Sequence, residues 1–305
     1  MKKRLGKLLR QGEEVKMNIN QYFKHIREEV DKQYSYAQEA RKVGIDPVCD
    51  VESRIATSLG EKSIGLVSTM YPQLQDGKIA ERISELENEY GQLDPAVSFR
   101  IAEEIAKEKF CKFESQLQAM DAGIRVGFCY NTLGVVSSPL EGLTELKVKK
   151  RRDGKEFLAA YFSGPIRSAG TTATCVVLML IDYLRVVFGY EKYDPTEDEM
   201  KRYVTAFYDS HERVTNLQYI ATEEEIEFLA RHIPIQIAGE PTESREVSNY
   251  KDLERVETNF IRGGMALTFS EGLAQKAAKG YRLWKSVRDR EGFEDARELE
   301  FWRLL

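Results

Sequence analysis

Tyr161-Phe-Ser-Gly-Pro-Ile-Arg-Ser-Ala-Gly-Thr-Thr-Ala173 is the stretch on which the reading of this chain turns. An apolar, strand-like run stops in a Gly/Pro/Ser/Thr loop that carries one arginine, and the apolar run 174–188 beyond it reads as a helix. The first N–H groups of a helix have no partner within it and point at whatever lies before the first turn. With the hydroxyls of Ser168, Thr171 and Thr172 and the guanidinium of Arg167, they favour an anionic oxygen, most simply a phosphate. A P-loop would place a lysine before the Ser/Thr, where this chain has Gly170. Two readings therefore stand: a phosphate-binding loop, or a tight turn that uses glycine for positive φ.

A second segment widens the comparison. Residues 233–264, Ile-Pro-Ile-Gln-Ile-Ala-Gly-Glu-Pro-Thr-Glu-Ser-Arg through Thr-Asn-Phe-Ile-Arg-Gly-Gly, form a strand-like run, a long polar stretch and a glycine pair. Together with Tyr-x-x-Gly-Pro-Ile-Arg-Ser-Ala-Gly, this segment closely resembles the N-terminal region of the large subunit of archaeal family-D DNA polymerase. Leu217-Gln218-Tyr219 and Val136-Ser-Ser-Pro-Leu-Glu-Gly142 match the same family in the same order. The resemblance runs from about residue 22 to 279 and is weakest before 135. Where the family usually continues Ala-Gly-Gly-Thr, this chain has Ala169-Gly170-Thr171-Thr172. If that position needs positive φ, the threonine strains the loop, and Thr171→Gly is expected to relieve it.

The resemblance implies a large subunit that synthesises DNA and a small partner of the metallophosphoesterase class that supplies 3′-to-5′ exonuclease activity. It implies as partners the remainder of the large subunit, that exonuclease subunit, primer–template DNA and the sliding clamp, in the cytoplasm at the nucleoid. A KH-like element is implied in this region, although a Gly-x-x-Gly clamp is not cleanly present. Polymerisation requires paired carboxylates holding two Mg²⁺ ions. This chain has no Asp-x-Asp, and the family's catalytic aspartates belong to a motif far downstream. Mg²⁺ is thus expected for the complete polymerase, no cofactor and no catalytic residue in this chain. The phosphate candidates are Arg167, Ser168, Thr171 and Thr172 first, then Asn259, Arg262 and the Lys149, Lys150, Arg151, Arg152 tip. A nucleotide-phosphate-binding enzyme using the 164–172 loop and a purely structural assembly module are the alternatives.

The chain's 305 residues, 42% hydrophobic and 31% charged, suffice for a buried core in one or two domains. A net charge of -5 argues against a surface uniformly devoted to nucleic acid, so any DNA contact is expected to be local. Cys49, Cys111, Cys129 and Cys175 form no Cys-x-x-Cys pair, and with only three histidines no zinc site is expected. No apolar run reaches the ~18 residues of a membrane span. The start, Met-Lys-Lys-Arg-Leu-Gly-Lys, is basic and has no signal-peptide h-region.

The expected fold class is α+β. Residues 1–17 read as a basic, disordered arm or a mis-set start ahead of Met17; 18–134 as mainly helical; 135–290 as an α+β unit carrying the family motifs; 291–305 as a truncated helical tail. Apolar residues at Ile19, Tyr22, Phe23, Ile26, Val30, Tyr34, Ala37 and Ala40 follow a helical period. Helical patterns also cover 78–90 and 95–113, with an ambiguous stretch to 133. Residues 143–162 read as a hairpin turning at Asp153-Gly154, with Lys147, Lys149, Lys150, Arg151, Arg152 and Lys155 near its tip. That basic end fits either DNA-backbone contact or a solvated, lysine-protected edge. Thr196-Glu-Asp-Glu199 and Thr222-Glu-Glu-Glu225 read as capping boxes, which explains their acids without a metal. Residues 233–237 read as a strand.

Overall fold

A computed structural model describes residues 18–47, 56–75, 78–168 and 170–305. The expected basic arm, Met17 and Cys49 lie outside the described residues. The chain divides by packing into two units, 1–57 and 58–305. In the first, helix α1 (Ile19–Lys42) starts from a full capping box: the Asn18 side chain accepts from the Gln21 N–H, and the Gln21 side chain accepts from the Asn18 N–H. Its apolar stripe follows the expected period, yet no residue of this helix is fully buried.

The second unit opens with α2 (Leu59–Val67), α3 (Lys78–Tyr90), α4 (Pro95–Ala106) and α5 (Gln116–Asn131). Side chains of Ser58, Asp94 and Ser115 cap three of these helices, and Pro95 occupies a first-turn position where no amide donor is needed. The helix expected over 95–113 stops at Ala106, because Glu108 takes φ 53° and turns the chain; the ambiguous stretch is α5.

The expected hairpin follows. Strand β1 (Leu143–Lys150) pairs antiparallel with β2 (Glu156–Phe162), matching Val148 with Leu158 and Lys150 with Glu156 across the Asp153-Gly154 turn. Beyond it come α6 (Thr171–Val187), α7 (Glu197–Arg213), α8 (Glu223–His232) and β3 (Gln236–Ala238), which adds parallel to β2 and completes a sheet of order β1-β2-β3. Both expected capping boxes are present, on α7 and α8. The third strand begins later than expected, because Ile233 still closes α8. Short helices α9 (Gly263–Leu267), α10 (Ala277–Arg288) and α11 (Glu300–Leu304) finish the chain.

The fold is α+β, with helices dominant and one small mixed sheet. Helix α6 runs through its centre with residues 175–184 buried, and Phe99, Ile124 and Phe128 from the helical layer share one apolar cluster with Leu158, Phe162 and Ile237 of the sheet. That cluster crosses the sequence boundary at 134/135, whereas the buried residues of a second cluster, among them Ile83, Val97, Ile101 and Val126, all lie before it. Residues 291–305 likewise fold inward: Trp302 is fully buried, and its indole N–H donates to the buried Asp182 at 3.0 Å. Burial pushes the Asp182 carboxyl above its ordinary value, while Arg185 at 2.8 Å pulls it back.

Candidate functional site

The four motif segments, 136–142, 161–173, 217–219 and 233–264, are separate in sequence and meet in one place. After α5 the chain is held from beneath by Arg125, whose guanidinium is 1% exposed. It donates to Asp121 at 2.6 Å and to the carbonyls of Pro139, Leu143 and Thr144 at 2.7, 2.6 and 3.3 Å. The turn so fixed lies against the glycine loop. The Ser163 N–H donates to the Gly142 carbonyl at 2.9 Å, and Ser138 Oγ donates to the Pro165 carbonyl at 2.9 Å. Ser168 Oγ sits 2.6 Å from Ser137 Oγ and 2.8 Å from Ser138 Oγ. From the other side comes Gly264. A side chain there would run into the Phe162 carbonyl and the Ser163 amide, so only glycine lets the two backbones meet. The Leu217-Gln218-Tyr219 segment closes the ring: the Gln218 N–H donates to Glu271 Oε1 at 2.9 Å, and Ser270 Oγ donates to the Tyr219 carbonyl.

Arg167 is the keystone of this knot. Its Nε donates to Glu271 Oε2 at 2.9 Å and its Nη2 to Glu271 Oε1, a two-pronged pair with a carboxylate whose side chain is 2% exposed. Ser168 is engaged by the serines and by the Pro165 carbonyl. Gly170, at φ 80°, precedes α6 without any side-chain cap, so the positive φ falls on a glycine. Thr171 continues the helical backbone; the strain expected there is absent, because the substituted position needs no positive φ. Thr172 Oγ1 accepts from Lys279 Nζ at 3.2 Å. Two surface hollows, one lined by Lys155, Phe188 and Glu191 and one by Arg185, Arg231 and Glu300, lie away from this loop.

The basic hairpin is neutralised in space. Lys147 and Lys149 meet Glu257 at 3.5 and 3.3 Å and lie over the Tyr161 ring, whose hydroxyl also bonds Glu257. Burial pulls the Lys149 ammonium below its ordinary value, although Glu257 opposes the shift. Arg151 reaches Asp153 at 3.3 Å and Glu191 at 3.5 Å, Lys155 reaches Glu191 at 2.6 Å, and Arg152 reaches Asp194 at 3.0 Å. Lys150, exposed, is the one hairpin cation with no ion pair among the described residues.

Asn259 and Arg262 also face inward. The Asn259 amide accepts from Arg202 and donates to Asp252, each at 2.7 Å. Arg262 is 3% exposed and lies over the Tyr203 ring; burial depresses its pKa, and its Nε and Nη2 have no partner among the described residues. Asp194, two residues before the Thr196 cap, and the capping-box acid Glu199 grip Arg255, with Glu199 at 2.6 Å. Burial works against the Arg255 charge, but these two bonds outweigh it and hold the pKa above its ordinary value. Among the described residues, no group of three His, Cys, Asp or Glu is placed to hold a metal ion.

One basic feature lies outside the residues that the sequence motifs single out. Residues 272–288 contain Lys276, Lys279, Arg282, Lys285 and Arg288 and no acid. Of these, only Arg288 forms an ion pair, with Asp289 at 2.9 Å, among the described residues. The signal was available as a local charge run, masked by the negative charge of the whole chain.

A knot of buried ion pairs, serine contacts and touching backbones defines a structural module in which the motif residues hold one another. A profile of the family described as DNA polymerase II large subunit DP2, N-terminal, matches residues 21–294, and the chain belongs to that family. It is 46% identical over 260 residues to the DNA polymerase II large subunit of Nanoarchaeum equitans, covering 85% of this chain and 21% of that protein. It is 39% identical over 288 residues to the corresponding subunit of Methanococcus vannielii, covering 94% and 24%. With the subunit of Archaeoglobus fulgidus the identity is 41% over 261 residues, covering 86% and 22%. The chain thus spans less than a quarter of the length of these relatives.

Proposed function

We propose that this chain is a bracing module at the N-terminal end of the large subunit of a replicative DNA-directed DNA polymerase, and that it performs no chemistry of its own. The observation that carries this reading is the convergence of all four motif segments on the Arg167–Glu271 knot, where their polar groups are spent on one another. The role that follows is to present a rigid face to the catalytic core. The paired carboxylates and two Mg²⁺ ions of nucleotidyl transfer belong to other parts of the subunit. The small 3′-to-5′ exonuclease subunit, the sliding clamp and primer–template DNA are the partners of the assembled enzyme, in the cytoplasm at the nucleoid.

The test is reconstitution. The chain alone, with primer–template, dNTPs and Mg²⁺, is expected to extend nothing. Added to the remaining portion of the large subunit and the small subunit, it is expected to co-purify with them and raise extension. Template-dependent extension by the isolated chain, surviving removal of contaminating polymerases, would overturn the proposal, as would failure to associate with the rest of the subunit.

A further inference from the structure

We infer that the outer face of α10, with the start of α6 beside it, is the surface of this chain that contacts a nucleic-acid strand. The inference rests on the proposed role in a DNA-handling subunit and adds the place of contact. Gly280, Trp284 and Val287 turn into the core, four and three residues apart, and so fix which side of α10 meets solvent. Lys279, Arg282 and Lys285 are exposed on the opposite half of the helix, and Lys276 stands just before it. None of the four forms an ion pair among the described residues, in contrast to the hairpin, where five of six cations do.

Two neighbours extend the patch. Lys279 bonds Thr172 in the first turn of α6, which places the positive end of a 17-residue helix beside the lysines. Tyr281, 36% exposed, lies one turn before Lys285 on the helix and backs onto Trp284 with ring centroids 5.8 Å apart. Cations spaced along one helix, with an accessible aromatic flanking them, complement a strand of phosphates carrying stackable bases. A positive face that stays unpaired inside a chain of net charge -5 has its complement outside the chain.

The experiment measures binding of a fluorescent primer–template to the full chain across a salt series. Three proteins are compared: wild type, the Lys276→Ser/Lys279→Ser/Arg282→Ser/Lys285→Ser variant, and a Lys149→Ser/Lys150→Ser/Arg151→Ser/Arg152→Ser variant. Each phosphate contact contributes about 0.9 to the slope of log K against log salt. The α10 variant is expected to lose about 3 from that slope and at least tenfold in affinity at low salt, with an unchanged melting temperature. The hairpin variant is expected to keep the wild-type slope. Tyr281→Ala is expected to weaken single-stranded DNA more than duplex. An α10 variant with wild-type affinity and slope overturns the inference. So does a wild-type chain that ignores DNA while binding anionic vesicles or an acidic peptide through the same lysines. Reconstitution with the rest of the subunit is scored separately, so a failure here leaves the bracing role intact.

Discussion

Arg167 and Glu271, 104 residues apart in sequence, form a two-pronged ion pair at the point where the glycine loop meets the segment after α9. The carboxylate is almost wholly buried and also accepts the Gln218 amide, so the pair joins three segments at once. An arginine that looks poised for phosphate in one dimension is, in three, already supplied with its anion.

Arg167→Ala is therefore expected to destabilise the chain by about 3 kcal/mol, because it strands a buried carboxylate. DNA affinity should stay at the wild-type value. Adding Glu271→Gln should recover part of the loss. Melting curves and anisotropy on the two variants check this, and lost DNA affinity at an unchanged melting temperature would restore Arg167 to phosphate binding.

Gly264→Ala is expected to cost roughly 3 kcal/mol or more, since its new methyl must displace the Phe162 carbonyl and no flexible side chain can yield there. Circular dichroism and thermal unfolding of the purified variant provide the measurement. Near-wild-type stability would mean that the two backbones are not in contact.

Thr171→Gly is expected to lower stability by about 0.5 kcal/mol. The position is helical, and glycine loses more backbone entropy there than threonine. A rise in melting temperature would contradict the placement of positive φ at Gly170.

Acid should loosen the hairpin's mooring. Burial pushes the Asp194 and Glu257 carboxyls up. Arg255 and Arg152 around the first, and Tyr161, Lys149 and Lys147 around the second, outweigh it and leave both below their ordinary values of 3.8 and 4.5. Their folded values lie below their unfolded ones, so their stabilisation is complete above about pH 5 and disappears as pH falls through the folded values. Asp182 runs the other way: burial raises it, and its contribution is lost as pH rises through its folded value. Melting temperature between pH 7 and 3 should fall steeply below pH 4, and Asp194→Asn with Glu257→Gln should flatten that fall.

How much of this was legible in the chain depended on distance along it. The Asp153-Gly154 turn and the threonine caps of α7 and α8 are decided by four or fewer neighbouring residues, and they stand where the sequence puts them. Beyond the local pairs Lys147–Glu145 and Arg151–Asp153, the partners of the hairpin cations are Glu191, Asp194 and Glu257, and that of Arg167 is Glu271; no local window contains both charges of these long-range pairs. The α9 glycines stand in the sequence only as a pair, and Gly264 is needed for close approach to a strand end about a hundred residues earlier, which spacing cannot reveal. The α10 cations form a local charge run that the negative charge of the whole chain hides.

The guanidinium of Arg125 has a consequence of a different kind. Apart from Asp121, its hydrogen bonds go to carbonyl oxygens, those of Pro139, Leu140, Leu143 and Thr144. Any residue offers the same carbonyl, so the grip is indifferent to the side chains it spans and strict about the path they follow. Substitution of a residue in the turn leaves its carbonyl available to Arg125, whereas an insertion between Pro139 and Leu143 would put the carbonyls after it out of register. The segment is thus open to drift in its lettering and closed to drift in its length.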